Sequence, residues 1–166
     1  MRDNIIVMPG QVSFDLGAAH SLAGEFGWTV KLVEDLHEAV AGQAYRRTPA
    51  VLFHRDALGC KSWLDAVLLL KSALPDVLPV VCHGFSEPID WSVLCDAGAF
   101  HSLWLPLKEI EVRQSFGFVW EAKKRLAEAT YGVPMMVPVR KRSTPQRIRP
   151  TLDHGVRNGD MVSAAG

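Results

Sequence analysis

Five short apolar runs alternate with stretches of helical periodicity between residues 5 and 129. That alternation is the signature of βα units wound onto a mostly parallel sheet. The first run is Ile5-Ile6-Val7-Met8, stopped by Pro9-Gly10. Phe14, Leu16, Ala18, Leu22 and Phe26 then mostly recur at helical spacing, and Gly27 is well placed to end that helix. Trp28 to Val33 alternates like a half-buried strand near a sheet edge. Asp35 follows as an N-cap ahead of the helical set Leu36, Ala39 and Val40.

The uninterrupted run Ala50-Val51-Leu52-Phe53, after the turn Arg46-Arg47-Thr48-Pro49, predicts a central strand buried on both faces, with His54 at its end. Ser62 and Asp65 form a capping box ahead of Leu64, Val67, Leu68 and Leu74, so a third helix should run to about Pro75. Leu78 to Cys82 is the fourth strand. Ser86 and Pro88 mark the start of a fourth helix, which turns Ile89, Val93 and Leu94 inward and stops at Gly98. Phe100 to Leu105 is the fifth strand, closed by Pro106. The last helix runs from about Leu107 to Ala129, and Lys123-Lys124-Arg125 near its end suit the negative pole of the helix dipole.

Beyond Tyr131 the periodicity is lost. Val133 to Val139 is extended by its prolines, and Arg140 to Gly166 mixes Arg, Pro, Gly and Ser. The expected organisation is therefore one domain over residues 1–130 and a basic, flexible tail over 131–166. The charge supports this division: residues 1–130 carry 12 Lys/Arg against 16 Asp/Glu, whereas 131–166 carry 6 against 2, so opposite excesses cancel in a chain of zero net charge. A basic tail suits nucleic acid, a membrane surface, a partner or the acidic domain itself, but no aromatic residue follows Tyr131 for base stacking, which disfavours nucleic acid.

At 48% hydrophobic and 22% charged, the chain is too apolar for wholesale disorder. Cys60, Cys82 and Cys95 are odd in number and lack CxxC spacing, which argues for reduced thiols in the cytoplasm rather than a disulfide framework. No run has the makings of a signal peptide, and none reaches the roughly 18 apolar residues a membrane span requires. No P-loop, GxGxxG, HExxH or GxSxG motif is present. A non-enzymatic protein without cofactor or resident metal is the expectation.

Five consecutive βα units imply a flavodoxin-like, doubly wound (βα)5 three-layer sandwich with strand order 2-1-3-4-5. Local sequence narrows this further. Leu78-Pro79-Val80-Val81 is similar to the fourth strand of response-regulator receiver domains, and Asp96-Ala97-Gly98-Ala99 to the acid-Ala-Gly-Ala ahead of their fifth. Leu105-Pro106-Leu107 sits where that family has Lys-Pro-Phe, and Gly59 falls five residues past strand 3, as the family's loop glycine does. Over residues 4–127 the chain thus resembles a receiver domain.

The resemblance implies an emptied phosphorylation pocket. Phosphoryl transfer to a carboxylate in that family uses Mg²⁺, an ion that prefers several hard oxygen ligands. Strand 1 here ends in Met8-Pro9-Gly10-Gln11, without a carboxylate. The acceptor position falls on His54 when judged by Gly59, or on Arg55 when judged by the start of the strand, with Asp56 one or two residues beyond. The switch Ser/Thr falls on His83 or Gly84, the switch aromatic on Ser102, and the phosphoryl-contacting lysine on Leu105; Ser86 and Trp104 stand near but displaced.

The expected function is a phosphorylation-independent pseudo-receiver of bacterial two-component signalling that works through protein–protein contact, homodimerisation included. Its interface would be the helix 4, strand 5 and helix 5 surface, with Trp91, Trp104, Phe116 and Trp120 as candidate anchors. The alternative is a regulatory domain that binds a small molecule or metal in the vacated carboxyl-edge pocket, around Met8, His54, Asp56, Cys60 and His83. A thiolate nucleophile at Cys60 or Cys82 is a further, less favoured candidate.

Overall fold

A computed structural model describes residues 4–8, 15–41, 47–59 and 62–130. Pro9, Gly10, Cys60 and the tail over 131–166 lie outside the described residues. Strands β1 (Asn4–Met8), β2 (Thr29–Leu32), β3 (Ala50–His54), β4 (Leu78–His83) and β5 (His101–Trp104) alternate with helices α1 (Leu16–Glu25), α2 (Leu36–Ala41), α3 (Trp63–Ala73), α4 (Trp91–Asp96) and α5 (Glu109–Thr130). All four strand pairings are parallel, in the order β2-β1-β3-β4-β5. This is the expected doubly wound sheet.

Burial explains the run lengths. β3 is buried at every position and β4 at all but its first, because helices cover both faces of a parallel sheet. One core layer joins Ile6, Met8, Val51, Phe53 and Val81 to α2, α3 and α4 through Leu36, Trp63, Val67, Leu70 and Leu94. The other joins Ile5, Val7, Leu52, Val80, Cys82 and Leu103 to α1 and α5 through Leu22, Val112, Phe116 and Val119. Successive strand residues alternate between the layers, as the two-residue pleat requires. Edge strand β2 buries Val30 alone.

Helix starts follow their caps. The Asp15 carboxylate accepts from the Ala18 amide at 3.2 Å, so α1 begins at Leu16. Asp35 accepts from the Glu38 amide at 2.7 Å ahead of α2. At α3 the capping box is complete: Ser62 Oγ accepts from the Asp65 amide at 3.1 Å and the Asp65 side chain accepts from the Ser62 amide at 3.4 Å. Ser62→Ala should therefore cost about 1 kcal/mol, read as a lower melting temperature with unchanged far-UV circular dichroism.

One boundary departs from expectation. The fourth helix begins at Trp91, not near Ser86, because Asp90 is its cap and accepts from the Val93 amide at 3.2 Å. Residues 84–87 instead form a turn in which the Glu87 amide donates to the Gly84 carbonyl at 3.2 Å. α5 ends at Thr130, one residue past the expected Ala129, and Lys123-Lys124-Arg125 stand before its last turn.

Candidate functional site at the carboxyl edge of the sheet

β3 and β4 deliver their last residues, His54 and His83, to the carboxyl edge, where open α/β sheets bind ligands. The register sets His54 level with Cys82 and His83 level with Trp104, one step further along. The two imidazoles consequently have different partners.

His54 is buried and held from both ring nitrogens. Nε2 lies 3.2 Å from Glu87 Oε2, while Nδ1 accepts from the Asp56 amide at 3.3 Å and lies 3.3 Å from Asp56 Oδ2. A proton on Nε2 is donated toward Glu87, and Nδ1 meets the Asp56 amide. Trp63 packs edge-on against the ring, with centroids 6.0 Å apart. Arg55 begins the 3-10 turn Arg55–Leu58 and is exposed.

Glu87 ties the site together. Its Oε2 also accepts from the Gly84 amide at 2.6 Å, so one carboxylate bonds the end of β4 and the end of β3. Partial burial alone would raise the Glu87 pKa; the Gly84 amide, the His54 hydrogen bond and the charges of His54 and Arg55 outweigh it and hold the carboxyl below its ordinary value. Glu87 carries no motif and reads in sequence only as a loop charge. The signal that was present is its spacing of three residues from Gly84, suited to a side chain that closes a turn.

His83 has a different environment. It is 2% exposed, and its Nδ1 lies 3.3 Å from the Gly84 carbonyl. A carbonyl only accepts, which assigns the proton to Nδ1 and leaves Nε2 as an acceptor. Nε2 is buried without a hydrogen-bond partner. The ring packs on Trp104 at 4.3 Å between centroids, and Phe85 stacks on the same indole at 4.3 Å and 20°. Phe85 is 81% exposed.

The remaining predicted positions are placed as follows. Leu105 is buried in the layer beneath α1 and α5, so it contributes packing where a lysine would bring charge. Cys82 is buried and its thiol is pushed up to about 12 by desolvation, which keeps it protonated at neutral pH and unsuited to nucleophilic attack. Among the described residues no group of three or more His, Cys, Asp or Glu is gathered to hold a metal ion. Among the described residues the edge does not gather the oxygen ligands that Mg²⁺ prefers: β3 ends in an imidazole, and Asp56 and Glu87 both lie against it.

The candidate interface residues separate into two classes. Phe116 is not available to a partner. It is fully buried, edge-on to Phe26 and Trp28 at 6.3 and 6.0 Å, because α5 lays Val112, Ser115, Phe116 and Val119 on the sheet. Trp91 is half-buried against the core below α4. Trp104 and Trp120, in contrast, are 42% and 41% exposed, and Ile110, Phe118 and Leu126 are exposed along the outer side of α5. Phe118 meets His101 of β5 edge-on at 5.5 Å, and the Lys124 ammonium lies 5.3 Å above the Trp120 ring.

Solved structures share this architecture. A receiver domain from Clostridium thermocellum superposes with a TM-score of 0.61 at 16% identity, over 75% of this chain and 98% of its own. The fold is that of response-regulator receiver domains. The receiver domain of the sensor histidine kinase PA1611 from Pseudomonas aeruginosa, solved with a magnesium ion coordinated in its active site cleft, matches at 0.57 and 17% identity over 73% of this chain and 99% of that domain. NtrX from Brucella abortus, solved with ATP, matches at 0.58 and 18% identity over 79% of this chain, which spans only 29% of NtrX. No protein-family model matches the sequence, and neither does any curated protein. Among the described residues of this receiver fold, no helix is long and apolar enough to cross a membrane.

Proposed function

We propose that this receiver-fold domain is a phosphorylation-independent regulatory module of two-component signalling that acts through protein–protein contact in the bacterial cytoplasm. The observation that carries the reading is the His54–Glu87–Gly84 arrangement. Where the resemblance calls for an acidic acceptor, a buried imidazole stands instead, already bonded to an internal carboxylate. Of the two acceptor alignments, the geometry favours His54, the last residue of β3, over exposed Arg55. Pro9, Gly10, Asp56, His83, Gly84 and Leu105 complete the pocket positions, and none supplies an acceptor carboxylate backed by a lysine.

The contact surface in this reading is the α4, β5 and α5 side, with Trp104 and Trp120 as anchors. Exposed aromatic residues of this kind dominate binding energy when a partner desolvates them. A second copy of the chain is one such partner. Residues 131–166 would act as a basic appendage to the 1–130 domain, linking it to a larger assembly. The domain itself carries out no catalysis in this reading.

Two measurements test it. Acetyl phosphate or beryllofluoride with Mg²⁺ should leave the tryptophan fluorescence and amide spectrum of the full chain unchanged; a Mg²⁺-dependent perturbation would overturn phosphorylation independence. Partner capture from the native cell should weaken roughly tenfold for Trp120→Ala while the melting temperature stays near that of the wild type. Undiminished capture would remove α5 from the interface.

A further inference from the structure

We propose that the groove between α3 and α4 is a docking site for a basic amphipathic helix of a partner protein, which seats an apolar side chain in the groove and sets Lys or Arg against Asp90 and Asp96. The groove has a volume of about 190 Å³, with the buried side chains of Trp63 and Leu94 at its base and Leu64, Ile89 and Val93 around them. Its polar lining groups make no demand on a ligand, because Ser62 Oγ and Asp90 Oδ1 already accept from the Asp65 and Val93 amides as helix caps. Pockets that enclose a whole small molecule measure roughly 300–1,000 Å³, so this one suits a single large side chain carried by a larger partner. Apolar surface continues beyond it. Leu68, one turn along α3 from Leu64, is 49% exposed, and Val93 is 43% exposed. That side of α3 faces α4, since the next residue on it, Lys71, lies against Gly98, where a Cβ would stand 3.0 Å from Lys71 Cγ.

Geometry and charge together select the occupant. Leu64 to Leu68 is a rise of about 6 Å, which a helix lying along α3 matches with apolar residues at i and i+4, the spacing used by helices bound in grooves. On α4, Asp90, Val93 and Asp96 recur every three residues, so an apolar contact stands between two carboxylates on one side. Among the described residues of α3, α4 and the Pro88–Asp90 segment, the charges are Asp65, Asp90 and Asp96 against Lys71, whose ammonium donates to the Pro75 and Val77 carbonyls beyond α3. The rim is therefore acidic, which steers a basic partner in and repels an acidic one. The groove overlies the core layer of α2, α3 and α4, whereas α5, which carries Trp120, packs on the other layer. Neither Trp104 nor Trp120 lines it, so this surface and the one anchored by those two residues can fail separately.

The full chain is titrated at low salt with a synthetic alanine–lysine helix carrying Leu at i and i+4, with its counterpart bearing Glu for Lys, and with its counterpart bearing Ala for Leu, while backbone and indole N–H resonances are followed. The expected result is saturable shifts at Leu64, Leu68, Asp90 and Val93 for the first peptide alone, unaltered by Trp120→Ala. Leu68→Ala and Val93→Ala, both at exposed positions, should each weaken binding about tenfold, with the melting temperature recorded alongside. Asp90→Asn combined with Asp96→Asn should weaken it about fivefold and reduce its salt dependence; Asn keeps a capping oxygen at position 90, so α4 is preserved. No saturation, equal binding of the Glu peptide, shifts confined to α5, or binding indifferent to both Leu68→Ala and Val93→Ala overturns the assignment. So does a concentration-dependent dimer that shifts the same residues without peptide, which would give the groove to a second copy of the chain.

Discussion

Phe116→Ala is expected to destabilise the protein by about 3–5 kcal/mol, the usual cost of deleting a fully buried phenyl ring. The ring lies at 0% exposure between α5 and the sheet, edge-on to both Phe26 and Trp28. Its removal leaves a cavity where α1, β2 and α5 meet, and Phe26 and Trp28, stacked on each other at 5.3 Å, lose a shared neighbour. Phe118→Ala, two residues along the same helix at 55% exposure, is the matched control and should cost well under 1 kcal/mol. Urea denaturation of both variants checks the pair. Equal losses would mean that α5 is rotated about its axis from the orientation described.

Glu87→Ala is expected to cost about 1–3 kcal/mol, more than an ordinary loop substitution. The lost carboxylate leaves two donors unmet at the sheet edge, the Gly84 amide and His54 Nε2. The effect should depend on pH. Because the folded protein holds the Glu87 pKa below its unfolded value of 4.5, this contribution is fully present above pH 4.5 and is lost as pH falls through the folded pKa. Glu87→Gln, which keeps the shape but cannot titrate, should flatten that portion of the acid denaturation curve relative to wild type. An identical acid limb in both proteins would show that Glu87 is not a stabilising anion. Glu25, lowered chiefly by its hydrogen bond from Arg113, is common to both proteins, so it does not confound the comparison.

Much of the fold was legible because parallel strands buried on both faces must be written as unbroken apolar runs, and Ala50 to Phe53 and Val80 to Cys82 are such runs. Caps were legible for a similar reason: Asp35 and Ser62 act on amides within three residues, so their partners are nearby in sequence. The start of α4 was not. Pro88 and Ser86 are reasonable first-turn residues, but Glu87 is drawn back to Gly84 and across to His54, and a turn held in that way cannot also be helix. Phe116 shows the same limit on α5. Periodicity marks which residues share a side of a helix; docking on the sheet selects the side that is buried, and it selected Val112, Phe116 and Val119 over Ile110, Phe118 and Leu126.

The pocket divides along the same line. That Pro9-Gly10 follows β1, that β3 ends on His54 and that Leu105 stands before Pro106 are matters of side-chain identity, so the proposed loss of acceptor and lysine rests on the sequence alone. What occupies the pocket instead was decided by the tertiary structure. His54 and Glu87 are 33 residues apart, and the carboxylate that closes on the imidazole is brought there only when β3 and β4 pair and the turn after β4 folds back. The orphaned nitrogen of His83 is likewise a tertiary fact. Any histidine can be buried, but an unpaired acceptor arises only from the specific neighbours, Gly84, Trp104 and Phe85, that the paired strands set around it.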